Sequence, residues 1–196
     1  MKNNKREFKK KKQSDLGKAW SYISESRSFI YSISIVFVFS IFLGFVFADK
    51  LTNIEEILNE ILMKIQGLDG IGLIFFILQN NLQASIYALI FGAVFGIFPI
   101  LNALSNGVVL GYVLNKVYLG SGIVDFWRIL PHGIFEIPAV LISMGLGVKL
   151  GFFIFSRNKK EELKRRFFES IRVFLFVVVP LLIVAAIIEG ILIIIL

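Results

Sequence analysis

The chain has 196 residues, of which 57% are hydrophobic and only 18% are charged, and 21 of them are phenylalanine. A soluble domain carries about a quarter charged residues. With a mean hydropathy of +0.80, this composition excludes a soluble globule and a disordered chain and describes a polytopic membrane protein. The absence of cysteine excludes a disulfide framework, a thiol nucleophile and Cys-based metal centres. A single histidine rules out a multi-histidine metal site within one chain.

Residues 1–28 form a basic N-terminal segment with nine Lys and Arg against three acids, a net of +6. Such a cluster sits against anionic lipid headgroups and fixes topology. No nucleic acid is expected as a partner, since neither a binding fold nor aromatic interleaving accompanies the charge. The run 29–47 follows without a charge. It is too long for a signal-peptide core and ends in Ala48-Asp49-Lys50, so it reads as a retained first span.

The connection 48–70 carries two Lys against five acids, a net of −3. Within it Ile54, Ile57, Leu58, Ile61, Leu62 and Ile65 recur at helical spacing, away from Glu55, Glu56 and Glu60. Thr52-Asn-Ile-Glu55 matches a capping box. The pattern predicts an amphipathic helix lying on the outer membrane surface or packed across the bundle mouth. It serves either as a plain connector or as a docking element.

Spans are next predicted at 82–101, 103–119, 133–155 and 173–196. The 103–119 run is short and holds Asn106, Asn115 and Lys116, so 82–119 either crosses twice or re-enters as a helical hairpin. Between it and the next span, Gly120-Ser121-Gly122 reads as a turn and Asp125-Phe126-Trp127-Arg128 as an interfacial anchor. Pro131 suits the first turn of the fourth span. Pro138 clashes with the carbonyl of Ile134 in a continuous helix, which predicts a kink or break between Pro131 and Pro138. The 157–172 stretch has seven Lys and Arg against three acids, a net of +4.

The fold class is therefore an all-α, polytopic transmembrane helical bundle of about five spans with an outer amphipathic helix. Its parts are a cytoplasmic segment 1–28 and one transmembrane domain 29–196. Both basic stretches are expected inside and the acidic 48–70 loop outside. That places the N-terminus in the cytoplasm and the C-terminus outside the cell membrane. Gly92–Gly96, Gly107–Gly111 and Gly147–Gly151 are GxxxG patterns, which predict close helix packing where lipid removes the usual hydrophobic drive.

Ionisable residues in apolar runs are costly and usually paired or functional. His132 and Glu136 share a helical face in the outer part of the fourth span. Glu189 lies roughly 24 Å along the fifth span from Val173, on the same side. Asn80 and Asn81 begin the second span at that face. These five residues are expected to form one polar cluster. Lys149, roughly 20 Å from Glu136, is expected to reach toward the cytoplasmic headgroups. The cluster reads as a structural hydrogen-bond network, a proton or ion relay, or least well a metal site, for which HExxH spacing is missing. No cofactor and no catalytic residue is predicted, since GxSxG, P-loop and dinucleotide fingerprints are all missing.

Asn80-Asn81, Gly92-x3-Gly96-x2-Pro99, Asn106-Gly107 with Gly111, Leu130-Pro-His-Gly-Ile-Phe-Glu-Ile-Pro-Ala139 and Ile188-Glu-Gly190 occur in this order. This set resembles the stage II sporulation protein M family, from about Phe29 to the C-terminus. The resemblance implies a multi-pass membrane protein with no established catalysis of its own. In endospore formers it implies a membrane anchor of a peptidoglycan-remodelling complex, although the family extends to bacteria and archaea that never sporulate. Two functions follow as expectations. One is a membrane scaffold touching the lipid bilayer and envelope proteins through segments 48–70 and 120–131. The other is a small transporter or ion-conducting protein using His132, Glu136 and Glu189. The oligomeric state is left open.

Overall fold

A computed structural model describes residues 14–123, 126 and 130–195, and the described chain is helical nearly throughout. Seven α-helices follow in order: α1 Asp15–Val46, α2 Thr52–Ile65, α3 Gly70–Phe91, α4 Ile97–Ser121, α5 Leu130–Gly151, α6 Lys159–Val173 and α7 Val179–Ile195. Five helical stretches are long and apolar enough to cross a membrane: α1, α3, α4, α5 with the turn after it, and α6 joined to α7.

Span boundaries differ from the apolar runs. Helix α1 starts at Asp15, where the Ser14 hydroxyl accepts from the Gly17 N–H, so its charged first turns continue the apolar run as one rod. The second and third spans are 70–91 and 97–121, not 82–101 and 103–119. Asp69 caps α3 by accepting from the Gly72 N–H at 2.7 Å. The chain breaks at 92–96 because Phe95 and Gly96 have φ of 56° and 69°, a left-handed region no helix continues through. Pro99 then falls in the first turn of α4, where its missing N–H costs nothing. At 22 and 25 residues, α3 and α4 are roughly 33 and 37 Å long. Each is long and apolar enough to cross a membrane by itself, which favours two crossings over a re-entrant hairpin.

Helix α5 runs unbroken through Pro138. Of the kink or break expected there, the break does not form, since neighbouring helices re-satisfy the backbone around a proline. A backbone adjustment does appear at the other intrahelical proline. Residues Phe174–Val178 form one π-helical stretch between α6 and α7, directly before Pro180, whose ring cannot donate back to Phe176.

Small residues set the packing. Helices α1 and α4 run in parallel, in closest contact through Gly44, Gly107 and Gly111. A Cβ on Gly107 would lie 2.6 Å from the Ser40 Cβ, and one on Gly111 would strike the Ile41 carbonyl oxygen. The Asn115 amide donates to the Phe45 carbonyl at 3.0 Å along the same seam. Helices α3 and α5 make a second parallel pair, with Gly147 against the Ala88 carbonyl and Gly151 against Gly96. Gly92–Gly96 is thus a turn received by Gly147 and Gly151, not a helical GxxxG face. Buried alanines at 88, 103, 139, 185 and 186 fill the remaining crossings. In lipid, such close packing supplies the contact energy that the hydrophobic effect supplies in water.

Helix α2 lies at one end of the bundle. Ile54 packs with Ala48 and Tyr112, and the Tyr112 hydroxyl donates to Glu55 at 3.4 Å. The capping box does not form: Leu51 is the N-cap, and no side chain caps the helix. Glu55 is drawn to Tyr112 instead. Helix α6 lies at the opposite end, against the start of α1 and the end of α5.

Candidate functional site

Two groups of polar residues stand out inside the bundle, one near its middle and one at the end where α6 lies. The first surrounds a cavity of about 590 Å³ between α1, α3, α4 and α5. Asn80 and Asn81 lie at the middle of α3, not at its start, because that helix begins at Gly70. Asn81 is buried and its oxygen accepts from the Asn80 amide at 3.5 Å. Its carboxamide faces the Glu136 carboxyl of α5. Asn80, Asn81, Asn106 and Glu136 all line the cavity, and the remaining walls are apolar, with Phe37, Leu110, Val113 and Leu141 among them. Exposed Asn80 and Ile134 at the rim leave it open to the bundle surface.

Glu189 of α7 is close enough to Glu136 for their charges to interact, although it does not line the cavity. The structure therefore brings Asn80, Asn81 and Glu136 together at one cavity, with Glu189 outside its lining. The side chain of His132 lies outside the described residues, as do residues 124, 125 and 127–129 of the outer segment 120–131 and the leader 1–13. Asn106, expected only as a polar interruption of the 103–119 run, belongs to the cavity as well. Its amide donates to Asn102 at 2.7 Å, one turn back on α4. An unsatisfied polar residue in the middle of an apolar run was the signal for it.

The second group corrects the expectation for Lys149. Its side chain is held inside the protein, 5% exposed. Its ammonium donates to Glu25 and to the Ser26 hydroxyl, both at 2.9 Å, and sits 3.9 Å from the centre of the Tyr22 ring. Arg165 of α6 makes a two-pronged contact with Glu25 at 3.1 and 3.2 Å. Arg166 donates to the Lys149 carbonyl at 2.7 Å and to Glu162 at 2.9 Å. One carboxylate, Glu25, thus ties α1, α5 and α6. The sequence carried a signal for it: Tyr22, Glu25 and Ser26 share a helical face in a leader otherwise dominated by cations.

Residues 33–192 match the family model of stage II sporulation protein M. This chain belongs to the stage II sporulation protein M family. Two uncharacterised proteins of Methanocaldococcus jannaschii are similar to it, each 33% identical, one over 74% of this chain and the other over 58%. The chain spans 63% and 66% of the length of these curated relatives. No solved structure matches it. The matched region holds both glycine seams, the cavity and Lys149. Glu25, the hub of the ion network, precedes it, so the stage II sporulation protein M match alone does not lead to that carboxylate.

Proposed function

We propose that this family member is a non-enzymatic membrane carrier that moves a small solute or ion, with Asn80, Asn81, Glu136 and Glu189 as its site. The cavity supports this reading. Its volume of about 590 Å³ falls within the roughly 300–1,000 Å³ of ligand pockets. A polar cluster used only for packing would be closed by its neighbours, since buried polar groups unmatched by a partner are costly. Here the carboxamides and the carboxyl line an open space. The location is the cell membrane, with the N-terminus cytoplasmic and the C-terminus extracytoplasmic, on the argument of the loop charges. In that orientation the cavity lies at mid-depth and extends into the outer half along α5, and the Glu25 network closes the cytoplasmic end.

Proteoliposomes holding a trapped pH dye test the ion-carrying form directly. An imposed potassium diffusion potential should drive proton uptake through the protein, and Glu136→Gln and Glu189→Gln should abolish it in folded protein. Equal flux in both variants and the parent would overturn the proposal.

A second reading is a membrane anchor of a cell-envelope complex. It is favoured by α2, which leaves Ile57, Leu62 and Met63 at 51%, 57% and 66% exposure beside its attachment point. Partners would dock there and on 120–131. Replacing Ile57 and Leu62 with glutamate should strip co-purifying envelope proteins in mild detergent. Retention of those proteins would remove this reading.

A further inference from the structure

We infer that the cavity between α1, α3, α4 and α5 takes an amphipathic organic cation, an amine or quaternary group attached to an apolar body. The inference rests on reading this cavity as a binding site, and it names the class of ligand.

Charge selects the sign. Glu136 lines the cavity and Glu189 stands behind it within electrostatic range. Among the described lining residues there is no lysine or arginine. An anion would meet carboxyl groups and no countercharge, whereas a cation beside Glu136 is compensated where the surroundings screen weakly. The Asn80, Asn81 and Asn106 carboxamides add oxygen acceptors, which suit an ammonium N–H or a soft onium centre.

Size and wall chemistry select the body. A water molecule takes roughly 30 Å³ of liquid volume, so a cavity of about 590 Å³ is far larger than a bare ion or a proton relay requires. A small divalent cation would need several oxygen ligands at once. Among the described residues no group of three His, Cys, Asp or Glu could hold a metal. The apolar walls instead fit a hydrocarbon or aromatic body, with Phe37 among them. A plain lipid tail fits poorly, because it would cover Asn80, Asn81 and Glu136 without hydrogen bonds. The exposed rim at Asn80 and Ile134 gives such a molecule a way in from the bundle surface.

The test uses the full chain in nanodiscs of zwitterionic lipid, with radiolabelled tetraphenylphosphonium as probe and tetraphenylborate as its shape-matched anion. Saturable phosphonium binding is expected, weakened about tenfold or more by Glu136→Gln through loss of the weakly screened charge. Leu110→Trp, which fills the cavity from its apolar wall, should also remove binding. Asn80→Asp, at the exposed rim, should strengthen it, and this variant leaves the buried groups intact. The borate should not compete. Absent saturable binding in folded parent protein, unchanged affinity in Glu136→Gln, or equal competition by the borate would overturn the inference. Proton flux measured on the same preparations separates the two ideas. Glu136-dependent flux without phosphonium binding sinks the ligand class and leaves the carrier. Phosphonium binding without flux supports the ligand class and sinks the proton-carrying form.

Discussion

Removing either member of the Glu25–Lys149 pair should have very unequal effects. Lys149 is 5% exposed and Glu25 47%, so the burden of burial falls on the lysine. Glu25→Gln leaves a buried ammonium with only the Ser26 hydroxyl, an amide oxygen and the Tyr22 ring, and with Arg165 and Arg166 as like charges nearby. Removing one partner of a buried pair costs about 3–5 kcal/mol. The glutamine still accepts a hydrogen bond, which places the expected loss near the lower end, about 3 kcal/mol. Lys149→Met is different. Methionine fills the space left by the lysine stem, and Glu25 keeps Arg165 at its half-exposed site. The expected loss is about 1 kcal/mol, the scale of a surface pair. In the double variant, Glu25→Gln no longer strands a charge, so the two substitutions should be non-additive by about 2 kcal/mol. Reversible unfolding by sodium dodecyl sulfate in mixed micelles measures all three. If Lys149→Met proves as damaging as Glu25→Gln, or the double variant is additive, the asymmetry of burial is not what governs this network.

The α1–α4 seam gives a contrasting pair of glycine substitutions. Gly111→Val should destabilise by about 1–3 kcal/mol as the Ile41 carbonyl is pushed away. Gly120→Ala, with nothing within 4 Å of its added carbon, should be neutral or stabilise α4 by about 0.5–1 kcal/mol. Both are read in the same unfolding titration. Tyr112→Phe removes the bond to Glu55 and should cost no more than about 1 kcal/mol. It should nevertheless loosen α2, seen as faster proteolysis between α1 and α3 with the rest of the bundle protected. Since the chain contains no cysteine, single introduced thiols report orientation. A cysteine replacing exposed Glu60 should react with an impermeant reagent in intact cells, and one replacing Lys160 only after lysis. The reverse pattern would invert the topology.

Much of this architecture was legible in one dimension. Apolar runs long enough to cross lipid mark helices whatever their neighbours, because every backbone group in the bilayer must be satisfied internally. The 3.6-residue period of Ile54, Leu58, Ile61 and Ile65 likewise marks α2, since one face of a helix repeats regardless of what it meets. Depth counted by rise per residue was less secure: it put Asn80 and Asn81 at the start of a span, whereas they lie at the middle of α3. Where helices end was less legible. Gly92-x3-Gly96 has the spacing of a packing face, and only the positive φ of Phe95 and Gly96 shows it to be a turn.

Residue order alone establishes that this is an all-helical membrane bundle, where its apolar segments lie, and which residues are too polar to face lipid. Those properties are sums over neighbouring residues, and the chain carries them before it folds. The tertiary structure decided that Gly107 and Gly111 receive α1 while Gly147 and Gly151 receive the 92–96 turn. It also decided that Lys149 finds Glu25 and that Asn81 and Glu136 meet at one cavity. Each of these depends on the rotation of a helix about its axis and its offset along a neighbour. Hydropathy is nearly indifferent to both, and only the close packing of small residues fixes them.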